Sequence, residues 1–221
     1  MSSTLERARR SSIRWATLLA ALLSGALACA QRLDQPGTTF QPGDRLVYDW
    51  VRNGKAQVLE EEWLAPEGED LRAVQKVGGK RFEVSVARDS NVIKRMMCMA
   101  NGQACTFSPG MEFARFPLEV GKRWTASYTL RGETFNAQVT QERIVEAVEK
   151  VKVPAGELAA FKLAYTGRMR GTARWIIPFS GTEEGAEWVT VIGGRLVFAR
   201  VTYRNSFGDN ATLELVSTSF R

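Results

Sequence analysis

Turn signals recur along almost the whole of this chain, and their spacing leaves room for little except short-looped β-strands. Pro36-Gly37, Pro42-Gly43, Asn53-Gly54, Pro66-Glu67-Gly68, Gly78-Gly79, Asn101-Gly102, Gly132, Pro154-Ala155-Gly156, Gly171, Gly181, Gly193-Gly194 and Gly208-Asp209-Asn210 punctuate it. Between many of them lie runs of about 7 to 12 residues rich in Val, Thr, Phe, Tyr and Trp, the rhythm of an antiparallel all-β domain. Asn53-Gly54 is the sharpest signal, because Asn-Gly tolerates the positive φ angles of a type I′ turn; 45–52 and 55–64 should therefore form a hairpin. In its first arm Leu46, Tyr48 and Trp50 alternate with Val47, Asp49 and Val51. Phe82, Val84 and Val86 repeat the pattern against Arg81, Glu83 and Ser85, as do Phe161, Leu163 and Tyr165 against Lys162. Such alternation marks strands with one buried and one wetter face.

Only 141–152 admits a helical reading, through Ile144, Val145, Val148 and Val151 and the Glu146/Lys150 pair. Its β-branched content disfavours a helix, and a long β-arm is expected there. No Pro/Ser-rich linker, low-complexity stretch or internal repeat divides the chain. The expected architecture over 31–221 is a single all-β domain, an antiparallel curved sheet forming a half-barrel or sandwich.

Residues 1–30 read as an export signal. Arg7, Arg9, Arg10 and Arg14 face the single acid Glu6, and an uncharged apolar run follows from Trp15 to Ala28. As a helix that run would reach only ~21 Å, short of a ~30 Å hydrocarbon core. Two processing routes stay open around Ala26-Leu27-Ala28-Cys29-Ala30. Ala28 and Ala30 suit plain cleavage before Gln31, whereas Cys29 would be the acylated first residue if the stretch acts as a lipobox. Against the second route, Ala26 stands where a lipobox usually has Leu, and Leu27 where a small residue is usual. The expected location is the periplasm or the outer membrane's periphery, with Cys29 the sole means of membrane attachment.

Of the 30 basic and 24 acidic residues, the signal holds four and one, which leaves a net charge of +3 on the remainder. That balance gives no reason to expect nucleic acid, which asks for a concentrated basic stripe. The chain has no histidine, so Ser-His-Asp and Cys-His catalysis and His-ligated metals are excluded. No S-x-x-K, G-x-S-x-G, P-loop or G-x-G-x-x-G motif occurs. No catalytic residue, cofactor or metal ligand is assigned.

Cys98 and Cys105 flank Asn101-Gly102, and a tight turn there would bring the sulfurs within bridging range; a disulfide is expected in an oxidising compartment. The alternative use of this region is copper. Met96, Met97, Met99 and Met111 lie within 16 residues, and thioether and thiolate sulfur select Cu(I). On a regular strand, however, Met97 and Met99 face away from Met96 and Cys98.

Acids cluster at Glu60-Glu61-Glu62, on a strand, and at Glu183, Glu184 and Glu187, in a Gly-rich stretch read as a loop. Solvated surface is the expectation for both, and a carboxylate-dependent hydrolase is the alternative. Trp50, Trp63, Trp124, Trp175 and Trp188 are core candidates that could also wall a site for an apolar ligand. Arg168, Arg170 and Arg174 could meet an anionic head group, though a solvated edge is the plainer reading.

Val151-Lys152-Val153-Pro154-Ala155-Gly156, followed by Phe161-Lys162-Leu163, resembles the V-x-V-P-A-G segment of bacterial exported β-rich proteins that have no assigned activity. Phe116-Pro117-Leu118-Glu119-Val120-Gly121-Lys122-Arg123-Trp124 is similar to an F-P-L-x-V-G-x-x-W segment found upstream in them. The resemblance spans roughly 110–205 and implies an open, curved sheet akin to envelope lipoprotein carriers. It carries over no functional residue, and Trp175-Ile176-Ile177-Pro178-Phe179 departs from the pattern of those relatives. The expected role is non-catalytic, in the cell envelope, through binding of lipid, another apolar small molecule or an envelope partner.

Overall fold

The alternating runs identified above form strands that pair in sequence order and then meet end to end. The computed structural model describes residues 32–37, 39–88, 91–99, 101–174 and 176–221. Cys29, the expected export signal over 1–30 and Trp175 lie outside the described residues. The strands are β1 (Arg32–Leu33), β2 (Arg45–Arg52), β3 (Lys55–Trp63), β4 (Asp70–Val77), β5 (Lys80–Ala87), β6 (Val92–Met97), β7 (Ala104–Glu112), β8 (Leu118–Glu119), β9 (Arg123–Arg131), β10 (Phe135–Val153), β11 (Gly156–Ala173), β12 (Ile177–Ile192), β13 (Arg195–Asn205) and β14 (Asn210–Ser219). Among the described residues there is no helix.

Twelve of these strands form a closed up-and-down barrel in the order β2-β3-β4-β5-β6-β7-β9-β10-β11-β12-β13-β14, with β14 returning beside β2. The closing ladder runs antiparallel from Ala211 opposite Arg52 to Ser219 opposite Arg45. The expected half-barrel or sandwich, and the open sheet implied by the family resemblance, are thus corrected to a closed barrel. The physical reason is edge satisfaction. An even number of meandering strands brings the last one back antiparallel to the first, and closure pairs two rows of backbone groups that an open sheet would leave exposed.

The local expectations hold. Asn53 and Gly54 take φ angles of 48° and 76°, and β2 pairs with β3 from Arg52 opposite Lys55 to Arg45 opposite Glu62. Residues 141–152 lie within the 19-residue strand β10, which is paired with β11 along its length and with β9 as far as Ile144. A bulge between Val145 and Ala147 interrupts its strict alternation, which is why the apolar spacing there also fits a helical period.

The two ends of the barrel differ. At one end the segment before β2 folds over the opening. Phe40 stacks flat on Trp63 at 3.9 Å between ring centroids and meets Phe220 edge-on. Beneath it the buried carboxylate of Asp44 accepts hydrogen bonds from the Gln41 and Arg221 backbone N–H groups and from Arg195 Nε at 2.9 Å. Burial works to raise the Asp44 pKa, but these donors outweigh it and hold the carboxyl below its ordinary value. Above this cap, β10 lies against β13 and β14 across the interior. Val145, Leu163, Val189, Val197 and Leu215 are almost wholly buried, each contributing about 1.5–3 kcal/mol by leaving water.

The opposite end carries the β2–β3, β4–β5 and β6–β7 turns. Cys98 and Cys105 are disulfide-bonded across the last of these with a Cα separation of 5.5 Å, and Gly102 N donates to Cys98 O at 2.8 Å. Replacing both cysteines by serine is expected to lower unfolding free energy by roughly 2–3 kcal/mol, the chain-entropy value for so short a loop. Urea denaturation of the oxidised protein and of the Cys98→Ser/Cys105→Ser variant measures it, and equal midpoints would contradict it.

Candidate functional site

Eight strands close around a lumen that side chains can fill; twelve enclose more space than the inward residues occupy. The result is a cavity of about 480 Å³ extending from Phe40 and Trp63 at the capped end to Phe179 and Phe207 at the other. Its walls are largely apolar, with Met96, Met97, Met99, Met111 and Met169 joining phenylalanines and branched aliphatics. Phe207, which lines it, is 52% exposed, and Thr134 beside it is exposed too, so the cavity reaches the surface there. Ile176 and Ile177, at 81% and 51% exposure, stand on the adjacent β11–β12 hairpin.

A polar belt crosses the inner wall on β10, β11, β12 and β13. Arg143 and Glu187 are paired through both guanidinium nitrogens, Nη1 to Oε2 at 2.9 Å and Nη2 to Oε1 at 3.2 Å. Arg143 Nε donates to Gln141 Oε1 at 2.8 Å, and Gln141 Nε2 donates onward to Glu183 Oε1 at 2.6 Å. Arg143 Nη1 also reaches the Phe113 carbonyl at 3.1 Å, and Nη2 lies 4.0 Å from the Met111 sulfur. The guanidinium sits 4.7 Å from the Tyr165 ring centroid. All five of its N–H donors are thereby engaged.

Two glycines make room for this belt. A Cβ on Gly167 would come within 2.9 Å of Glu183 Cγ, and one on Gly185 within 2.1 Å of the Thr202 carbonyl and 2.6 Å of the Tyr165 hydroxyl. Burial raises the pKa of Glu183, opposed by the Gln141 hydrogen bond and the nearby Arg143 charge and reinforced by Glu187. Burial first, and then the charge of Glu183, raises the pKa of Tyr128, Tyr165 and Tyr203, which places those three rings in the field of this carboxylate. On the facing wall Glu61 accepts from Gln75 Nε2 at 2.8 Å, while Gln75 Oε1 accepts from Met97 N. Burial raises the Glu61 pKa as well.

The acidic clusters are therefore only partly surface. Glu60 is exposed, Glu62 pairs with Arg45 and Lys76, and Glu184 pairs with Arg204. Glu61, Glu183 and Glu187 are buried and line the cavity, which corrects the expectation of a solvated surface. The Gly-rich stretch read as a loop is the middle of β12. Glu183 and Glu187 are four residues apart on one strand and so share its inner face. Glu187 is held by Arg143 on both oxygens.

The methionines depart from simple alternation. Met96, Met97, Met99 and Met111 all line the cavity, because the β6–β7 ladder shifts between Ile93 and Arg95 and β6 ends at Met97. The two cysteines are bonded to each other and offer no thiolate to copper. Trp50, Trp63, Trp124 and Trp188 are buried, and of these Trp63 borders the cavity. Arg168 and Arg170 alternate outward from β11, and Arg174 is exposed at the hairpin tip. Sequence reasoning missed Gln141 and Arg143. The signal was available: they share the parity of Val139 and Val145, a polar pair interrupting an inward apolar row.

Fold and interior together define a chambered antiparallel barrel. No family model matches the chain, and no curated protein matches it. Among solved structures it is similar to a candidate lipoprotein from Parabacteroides distasonis, with 12% identity, a TM-score of 0.51, and coverage of 85% of this chain and 97% of that one. It is also similar to a candidate exported protein with a YmcC-like fold from Bacteroides fragilis, with 13% identity, a TM-score of 0.50, and coverage of 86% and 100%. At these identities the likeness is one of fold.

Two outcomes follow for the belt. Arg143→Met alone should cost about 3–5 kcal/mol in urea unfolding, because it strands a buried carboxylate, and Arg143→Met/Glu187→Leu should recover most of that loss; additive losses would contradict the pairing. For Glu61, whose pKa is raised on folding, the stabilising proton is held at acid pH and lost as pH climbs through the folded value. Glu61→Gln should thus gain a few degrees in Tm over wild type at pH 8 but not at pH 4. A gap that does not change with pH would contradict it.

Proposed function

We propose that this chain is an exported, non-catalytic protein of the cell envelope whose barrel holds a lipid or another apolar small molecule. The observation that carries the reading is the methionine- and phenylalanine-lined cavity of about 480 Å³, a size within the ~300–1,000 Å³ range of small-molecule sites. Methionine suits such a wall, since its unbranched thioether adapts to ligands of varied shape. Ile176, Ile177 and Phe207 give an apolar molecule a continuous approach to the opening.

Export rests on the 1–30 signal, and location in the periplasm or at the outer membrane follows from it. Acylation of Cys29 would tether the barrel to the bilayer from which a lipid would come. The candidate lipoprotein and candidate exported protein that share the fold are in line with this reading.

Diphenylhexatriene, an uncharged hydrocarbon fluorophore, tests it. The protein should bind the dye with strong fluorescence enhancement. Met169→Trp, which fills the lumen at a residue 7% exposed, should weaken that binding at least tenfold while the far-ultraviolet spectrum stays β-rich. Equal binding by both proteins would contradict the chamber.

A further inference from the structure

The charges that line the chamber are unbalanced. Among the described residues its walls carry four carboxylates, Glu61, Glu183, Glu187 and Asp209, and one cation, Arg143. That cation is spent: Glu187 takes both guanidinium nitrogens, Gln141 takes Nε, and the Phe113 carbonyl and Met111 sulfur face the remaining donors. A carboxylate or phosphate entering here would find no free cationic donor and would add a like charge where repulsion is poorly screened. An incoming donor meets the opposite situation. Glu183 receives Gln141 Nε2 on Oε1 and a hydrogen bond from the Tyr203 hydroxyl, and a carboxylate has about four acceptor positions over its two oxygens, so acceptor capacity remains.

Glu183 is also surrounded by what a cation prefers. Gly167 lets the Glu183 side chain lie close against β11 and Gly185 admits the Tyr165 hydroxyl, and Tyr128, Tyr165 and Tyr203 line the same part of the lumen. Aromatic faces attract ammonium groups, and methionine sulfur is a soft neighbour for the methylenes next to one. An alkylammonium head brings three N–H donors and no acceptor, which complements a wall with surplus acceptors.

Resting on the chamber reading above, we infer that the barrel selects amphiphiles with a cationic amine head, seated against Glu183 with the apolar tail among the methionines. The choice among lipids then reverses the usual one for a carrier, with long-chain amines admitted and fatty acids excluded. Glu183 holds the head group, and Arg143 and Glu187 act as positioning residues that keep Gln141 and Glu183 in place.

Calorimetric titration with dodecylamine, dodecanol and dodecanoate at pH 7, each below its micelle-forming concentration, tests the inference. Wild type should bind dodecylamine at least tenfold more tightly than dodecanoate, and more tightly than dodecanol. Glu183→Gln, which retains an oxygen for Gln141, should bring dodecylamine down to the level of dodecanol and leave dodecanol within about twofold. Wild-type selectivity alone is decisive should the variant misfold. Dodecanoate binding as well as dodecylamine, or a Glu183→Gln variant that keeps the amine preference, would overturn the inference and leave the apolar chamber standing. Failure of all three to bind wild type would overturn both.

Discussion

The bidentate pair between Arg143 and Glu187 is the constraint from which the rest of the interior follows. The two residues stand on β10 and β12 with β11 between them, and Arg143 also reaches the Phe113 carbonyl beyond β7. Removing two charges from water is costly, and a pair of this kind is tolerated only when its remaining donors and acceptors are met. Gln141 meets one of them and passes the chain of hydrogen bonds to Glu183. The pair therefore fixes the relative register of three strands and places a second carboxylate in the lumen without a cation of its own.

Closure gives that arrangement its surroundings. Twelve antiparallel strands close into a ring but enclose too much space for a solid core. The chain resolves this unevenly. Around the Phe40–Trp63 stack and Asp44 the lumen is capped, and β10 packs against β13 and β14. Towards the Cys98–Cys105 hairpin and Phe207 it stays hollow. One end is thus closed by packed aromatic and buried polar groups, and the cavity opens at the other.

What the sequence revealed follows the range of each interaction. Asn53-Gly54 encodes its turn in two residues, and the β2–β3 hairpin was legible to within a residue. The Cys98–Cys105 bridge was equally local, spanning a single turn. Barrel closure depends on β14 meeting β2, more than 150 residues away, and no local pattern records it. The inward acids were misjudged for a related reason. Glu183 and Glu187 look like surface residues until Arg143 and Gln141, some 40 positions earlier, are placed beside them. Alternation alone marked the inner face of β10 through Val139 and Val145, and taken strictly it would have drawn Gln141 and Arg143 inside with them.

Together these features describe a chamber with an apolar body and an acceptor-rich wall, suited to an amphiphile with a donor at its head. A crystal structure of the protein with dodecylamine would examine this most directly. The account predicts the ammonium nitrogen within hydrogen-bonding distance of Glu183, the alkyl chain among the methionines, and the Arg143–Glu187 pair unchanged. An alkyl chain in the lumen with its ammonium left in solvent beside Phe207, or a lumen that stays empty, would contradict it.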